Sequence, residues 1–185
     1  MRADFRVCLD ACVLVNFGVA DLLLRLAERP RQYLPVWSEE ILNEVHRTQT
    51  EKLDWPEHLA DSFGNEVRTH FPEAMVSGYE HLIDVVENDP KDRHVLAAAI
   101  TAGAEVILTF NLKDFPTEAL ALWSVEAKHP EDYLLTLYEM DDLQVVSRIA
   151  AIAARRGKAQ EDVLIMLGQA VPKFSARLLD DLDLT

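Results

Sequence analysis

Basic residues are scarce. The 185-residue chain carries 18 Lys and Arg against 32 Asp and Glu, a formal net charge of -14. That balance argues against a broad cationic surface, because non-specific nucleic-acid binding is mostly phosphate neutralisation by Lys and Arg. It leaves room for an enzyme whose carboxylates gather around a divalent cation, since the ion reverses the local sign and itself attracts phosphate. It equally fits a protein that pairs with a basic partner. Cysteine is nearly missing: Cys8 and Cys12 are the only two, four apart at the end of an expected strand. That spacing disfavours a disulfide between them, and both read as small buried apolar side chains. The six histidines are scattered, with no H-x-x-x-H pair to suggest zinc. No run of about 18 uncharged apolar residues exists for a membrane span, and MRADFRVCLD carries charge where a signal peptide needs its hydrophobic region. A cytoplasmic protein without a membrane partner is the expectation. Internal repeats, low-complexity segments and a linker of distinct composition are also missing.

What is present is a sizeable apolar fraction, 49% of the residues, enough for one well-packed domain with a helical annex. Residues 5–9 form a short apolar strand ending at Asp10, and Leu22, Leu23, Leu26 and Ala27 give a helical stripe closed by Pro30. LPVW follows as a brief extended piece, after which Ser38 caps a helix whose first turn carries Glu39 and Glu40. A further helix opens near Pro56, with Leu59, Phe63, Val67 and Phe71 at four-residue spacing; residues 74–77 read as extended and 79–86 as helical. Asp89 is the expected N-cap of a helix running to Ala102, with Pro90 at its first position and Gly103 as its stop. Strands are expected at 105–109 and 124–127, and helices broken near Gly157 and Pro172 fill the rest. Strands alternating with helices imply a parallel sheet covered on both faces.

In open parallel sheets, ligands bind outside the carboxyl ends of the strands. Asp10 ends the first strand, and Asp114 lies five residues after Thr109 with Asn111 between them. Either aspartate alone is also what an ordinary turn contains. On the helix after Ser38, the stripe of Ile41, Leu42 and Val45 is bordered by Glu44, about 60° from Ile41, while Glu40 lies about 100° away. A carboxylate at that border snorkels, pairs or binds something. Asp92 is less fully explained by its helix start than Asp89 is. Four acids from distant segments, Asp10, Glu44, Asp92 and Asp114, thus converge on one strand-end face. Like charges so placed repel unless a cation is present, and oxygen-only ligands select a hard ion, Mg2+ or Mn2+.

Three stretches, LDACVL (9–14), WSEEILNEV (37–45) and PKDRHVLAAAITAGAEVILTFNLKDF (90–115), resemble the PIN-domain nucleases, the group containing the VapC-type toxins of bacterial toxin–antitoxin pairs. The specificity lies in the ordered spacing of several motifs, each weak alone. The resemblance covers roughly residues 5–127 and implies a three-layer α/β/α fold with a central parallel sheet in residues 1–128; the tail, 129–185, lies outside it and reads as a C-terminal helical extension packed on the domain. It implies metal ligands at Asp10, Glu44, Asp92 and Asp114, with Glu40 as fallback for Glu44, and a supporting set of Thr109 and Asn111 that orients ligands or phosphate. It also implies an endoribonuclease that uses Mg2+ or Mn2+, leaves a 5′-phosphate and a 3′-hydroxyl, forms no covalent intermediate, and pairs with an antitoxin protein. The chain departs from the family in two places. Ala11 and Cys12 stand where members carry Thr or Ser, then Asn or Ser, leaving Asn16 as the candidate substitute for the lost polar group. Asn111 stands where some members have an aspartate, so one tightly held ion plus one recruited with substrate is expected.

Other chemistries fit less well. Aspartyl-phosphate enzymes of the haloacid-dehalogenase type place a second Asp two positions after the first, where this chain has Cys12, and a phospho-receiver domain needs paired acids after its first strand. The non-enzyme alternative is a PIN-like domain with a weakened site, acting as a binding or assembly module. In the tail, Val145, Ile149, Ile152 and Ala153 form a stripe expected to pack on the domain or on a second subunit in a homodimer. Arg155, Arg156 and Lys158 are its one dense basic cluster, read as a solvated helix end with RNA contact as the lesser alternative.

Overall fold

The computed structural model describes residues 5–184. Five strands, β1 (Arg6–Leu9), β2 (Leu34–Ser38), β3 (Met75–Val76), β4 (Val106–Leu108) and β5 (Glu126–Lys128), form one all-parallel sheet in the order β3-β2-β1-β4-β5. Successive strands run outward from β1 in one direction as far as β3, then restart beside β1 at β4. The junction of β1 with β4 is therefore the sheet's topological switch point, where an open α/β sheet leaves a crevice. Val7, Cys8 and Leu9 of β1 and all of β4 are buried, as a central strand covered on both faces requires.

Helices α1 (Ala11–Leu14), α2 (Phe17–Ala27), α3 (Glu39–Glu51), α4 (Glu57–His70), α5 (Arg93–Ala102) and α6 (Thr117–Ala121) flank the sheet. Ser38 caps α3 as expected, its hydroxyl accepting from Ile41 N at 3.2 Å. The small side chains of Ala97, Ala98 and Ala99 are fully buried and let α5 lie close against β1, β2 and β4. Gly103 ends α5 in the left-handed region, φ 64°, where a side chain would be strained.

Three local expectations differ. The turn at Asp89 is separate from the helix: its carboxylate accepts from Lys91 N at 3.0 Å and its carbonyl from Asp92 N at 2.9 Å, and α5 starts only at Arg93. Asp92 holds the N-cap position without using its side chain as a cap. Residues 79–86 are a single 3-10 turn, Glu80–Leu82, followed by further turns. Tyr79 is instead buried against Ala97 and Ala98 of α5. The four-residue stripe of α4 is buried only toward its end, with Val67 and Phe71 inside and Leu59 48% exposed. A spacing of four drifts about 40° per step on a 3.6-residue helix, so Leu59 and Phe71 face directions about 120° apart.

The tail folds into α7 (Pro130–Met140), α8 (Asp142–Arg156), α9 (Gln160–Leu167) and α10 (Pro172–Asp181). Helix α8 packs on α2, and its Val145, Ile149 and Ile152 join the same continuous core as Leu9 and Ile107. Arg156 closes that seam: it reaches Asp21 of α2 at 2.9 Å and lies 5.3 Å over the Phe17 ring. It is engaged inside the fold, whereas Arg155 and Lys158 are exposed. Glu131, nearly buried, accepts from Lys173 N at 2.5 Å, so a carboxylate of α7 meets the N-terminus of α10. Because Phe174 is fully buried in the shared core, Phe174→Ala is expected to lower stability by about 3–5 kcal/mol in urea unfolding, through lost burial and the cavity left behind.

Candidate active site

The β1–β4 register pairs Leu9 with Leu108, so the next residues, Asp10 and Thr109, stand opposite one another as both strands end. Asp10 N donates to Leu108 O at 3.0 Å, which carries the pairing one residue beyond the strand. The Thr109 hydroxyl donates to Asp10 Oδ2 at 2.7 Å and accepts from Asn111 N at 3.0 Å. Thr109 is fully buried and Asp10 only 4% exposed, so this charge-assisted bond is shielded from water.

Cys12 joins the same knot, contrary to its reading as an apolar filler. Its thiol donates to Asp10 Oδ2 at 3.1 Å, lies 3.4 Å from the Thr109 hydroxyl, and accepts from Phe110 N at 3.3 Å. Burial and the Asp10 charge push the thiol up to about 12, which keeps it protonated as a donor. Cys12 thus supplies the polar group that the substitution of a Ser or Asn had removed on paper. A thiol in a slot otherwise filled by hydroxyl or amide is one donor replacing another, a role that its neighbours reveal.

Asp92 faces the same strand ends. Burial foremost, then the charges of Asp10 and Asp114, then that of Asp89, raise its carboxyl from 3.8 to about 6, with Lys91 opposing. Asp114 arrives there because its backbone carbonyl accepts from Asp89 N at 3.1 Å, clasping the two acid-bearing loops together. Asp10, Asp92 and Asp114 are therefore one electrostatic cluster. Asn111 is exposed beside it.

Glu44 and Asn16 are placed differently. Glu44, half-buried on α3, has its Oε2 3.4 Å from His94 Nε2 and its Oε1 3.7 Å from Arg47 on the same helix. Glu40 is exposed and accepts from the Tyr79 hydroxyl at 3.3 Å. Asn16 caps α2, its side-chain oxygen accepting from Val19 N at 3.3 Å, and so serves the helix. His94 was passed over in the sequence; a histidine leading into a run of buried alanines was the available sign. Burial disfavours its charged form, but the hydrogen-bonding pull and charge of Glu44, then the charge of Glu40, outweigh that and raise its pKa. At 3.4 Å the Glu44 contact is too long and too poorly aligned to satisfy Nε2, which remains without a hydrogen-bond partner. We treat it as an ion contact.

Among the described residues, no three His, Cys, Asp or Glu side chains converge into a finished ligand cage. The donor set nonetheless suits a hard divalent cation: it is all oxygen, and its three mutually repelling carboxylates, one with a raised pKa, are relieved by positive charge. A groove of about 720 Å³ lies elsewhere, lined by Phe17, Trp55, Leu59 and Arg156, and none of the four acids borders it.

Two outcomes follow for the protein without metal. Cys12→Val leaves Asp10 short of a donor and Phe110 N short of an acceptor, and is expected to unfold about 1–2 kcal/mol more easily in urea than Cys12→Ser. For Asp92, a carboxyl raised in the folded state binds its proton more tightly there than when unfolded. Its contribution to stability therefore falls as pH rises from about 4 to about 6, and the penalty is complete above that. Asp92→Asn should melt higher than the parent at pH 7, by about 1 kcal/mol once water screening is allowed for, and the difference should vanish near pH 4.

The comparisons with known proteins fall on this region. The PIN domain family model matches residues 6–113. A Mycobacterium tuberculosis (strain ATCC 25618 / H37Rv) protein named as a candidate ribonuclease, VapC50, is 41% identical over 107 residues, which is 56% of this chain and 63% of the relative. The chain thus spans less than two thirds of that relative's length. There is no significant match among solved structures. Among the described residues, no helix is long and apolar enough to cross a membrane. With the switch-point sheet, the acids at its strand ends and a family model matching more than half the sequence, the chain belongs to the PIN-domain family.

Proposed function

We propose that the chain is a Mg2+- or Mn2+-dependent endoribonuclease acting in the cytoplasm as the toxin of a type II toxin–antitoxin pair, with an antitoxin protein as its partner. The observation that carries the reading is the switch-point cluster: Asp10, held at Oδ2 by Thr109 and Cys12, beside Asp92, whose pKa is raised by burial first and then by the charges of Asp10 and Asp114. Family membership and the ribonuclease name of the 41% identical relative support the substrate class.

Asp10, Asp92 and Asp114 would hold the ion. When bound, a divalent cation lowers the pKa of a water molecule and neutralises charge on the scissile phosphate and the leaving oxygen. The residues contribute position. Thr109 and Cys12 occupy one oxygen of Asp10, which leaves Oδ1 as the oxygen turned to a ligand. Glu44 would serve as a further ligand or as the base that orients water, and Asn111, exposed at the rim, would contact phosphate. Asn16 contributes by fixing α2. The products carry a 5′-phosphate and a 3′-hydroxyl. With Asn111 in an acid's place, the chain's own carboxylates would hold one ion tightly, and a second would be recruited with substrate.

The test is cleavage of a mixed RNA pool. Cleavage is expected with Mg2+ or Mn2+ and not in excess chelator, and to be lost in Asp10→Asn; persistence in chelator would sink the metal reading. Glu44→Gln is expected to lower the rate by on the order of a hundredfold, against less than about threefold for the exposed Glu40→Gln. The alternative, a PIN domain serving as a binding or assembly module, would be favoured if calorimetry finds no Mn2+ site that depends on Asp10.

A further inference from the structure

His94 stands out among the buried polar groups. It is 4% exposed, yet its Nε2 has no hydrogen-bond partner and points at a carboxylate 3.4 Å away, Oε2 of Glu44. Leaving such a nitrogen buried and unsatisfied costs free energy, and a fold tolerates it where the group serves a second purpose. The rest of the ring lies by the Lys91 backbone, whose hydrogen-bonding pull helps to raise the ring's pKa, and because Nε2 faces Glu44 that pull falls on the Nδ1 side. Lys91 immediately precedes Asp92. One rigid ring thus spans from the turn that carries Asp92 to the helix that carries Glu44.

The other side of Glu44 is held loosely. Among the described residues its Oε1 meets only Arg47, at 3.7 Å, and the Arg47 side chain is 61% exposed and can swing into water. The arrangement is asymmetric: Oε2 faces a fixed, buried donor and Oε1 a mobile, exposed one.

Resting on the metal-dependent reading above, we propose that His94 is a positioning residue that holds Glu44 by Oε2, so that Oε1 is the oxygen delivered to the cation or its bound water. A Glu44 whose Oε2 closes onto Nε2 satisfies the orphaned nitrogen and is fixed for its ligand role, which couples His94 to cation binding without His94 touching the ion. This is the outer partner that metal sites use to fix the orientation of a ligand.

Two near-isosteric variants separate the positioning role from mere packing. His94→Gln places an amide nitrogen near the position of Nε2 and keeps a donor toward Glu44. His94→Asn keeps a donor only at the position of Nδ1, toward the Lys91 backbone. Calorimetric Mn2+ affinities of the two and of the parent are measured beside thermal melts, and again in a Glu44→Gln background. Expected are a His94→Gln affinity within about threefold of the parent, a His94→Asn affinity about tenfold weaker at a similar melting temperature, and less than a twofold difference between the two once Glu44 is Gln. Equal affinities for the two single variants, a loss of the same size in the Glu44→Gln background, or a parent that binds no Mn2+ would overturn the proposal. RNA cleavage by the same proteins separates the two readings: a parent that binds Mn2+ with this pattern yet leaves RNA intact removes the ribonuclease function and not the role of His94.

Discussion

The constraint on which the site depends is the pairing of β1 with β4 at the point where the strand order reverses. Its register sets Asp10 opposite Thr109, and the backbone bond from Asp10 N to Leu108 O carries the pairing past the last strand residue. A slip of one residue would turn Asp10 to the opposite face and part it from its hydroxyl donor. The polar knot of Asp10, Thr109 and Cys12 is buried, so its formation and the completion of the sheet centre are the same event. Everything acidic nearby is placed by reference to it: α5 lies on β1 and β4 and presents Asp92, and the loop after β4 presents Asp114.

Much of this was readable from residue types because the fold obeys period and punctuation. Ser38, Gly103, Gly157 and Pro172 fall at helix boundaries, and the apolar runs fall on strands, because each of these is decided by local chemistry. What local chemistry does not decide went less well. The 79–86 segment lacks its helix since Tyr79 packs with Ala97 and Ala98 of a distant element, and no nearby period could announce that. At the site, strand-end reasoning and family spacing single out Asp10, Asp92 and Asp114, whose charges the structure groups. Neither singles out Cys12 or His94, because a thiol or an imidazole passes for core until its neighbours are known. Glu44 was correctly set at the edge of the α3 stripe, but its partner His94 sits 50 residues away in sequence, beyond the reach of helical angles.

The electrostatics are uneven in a way the net charge of -14 conceals. Most acids are solvated or paired, such as Asp21 with Arg25 and Arg156, or Glu39 with Arg68. The strand-end cluster differs: Asp92 is displaced to about 6, by the burial of its own charge foremost and then by the nearby charges of Asp10 and Asp114. A cluster of this kind is a destabilising element in isolation, held in place by the sheet beneath it.

The clasp between the two acid-bearing loops runs from the amide of Asp89 to the carbonyl of Asp114, main chain to main chain. Side-chain identity hardly enters it, and of the common replacements at position 89 only proline would take the donor away. The spacing of this face is thus inherited separately from its charge. A replacement among the acids of the rim would change its charge, while the frame that carries them stays where it was. Such a division makes the site tolerant of drift in chemistry and intolerant of drift in shape.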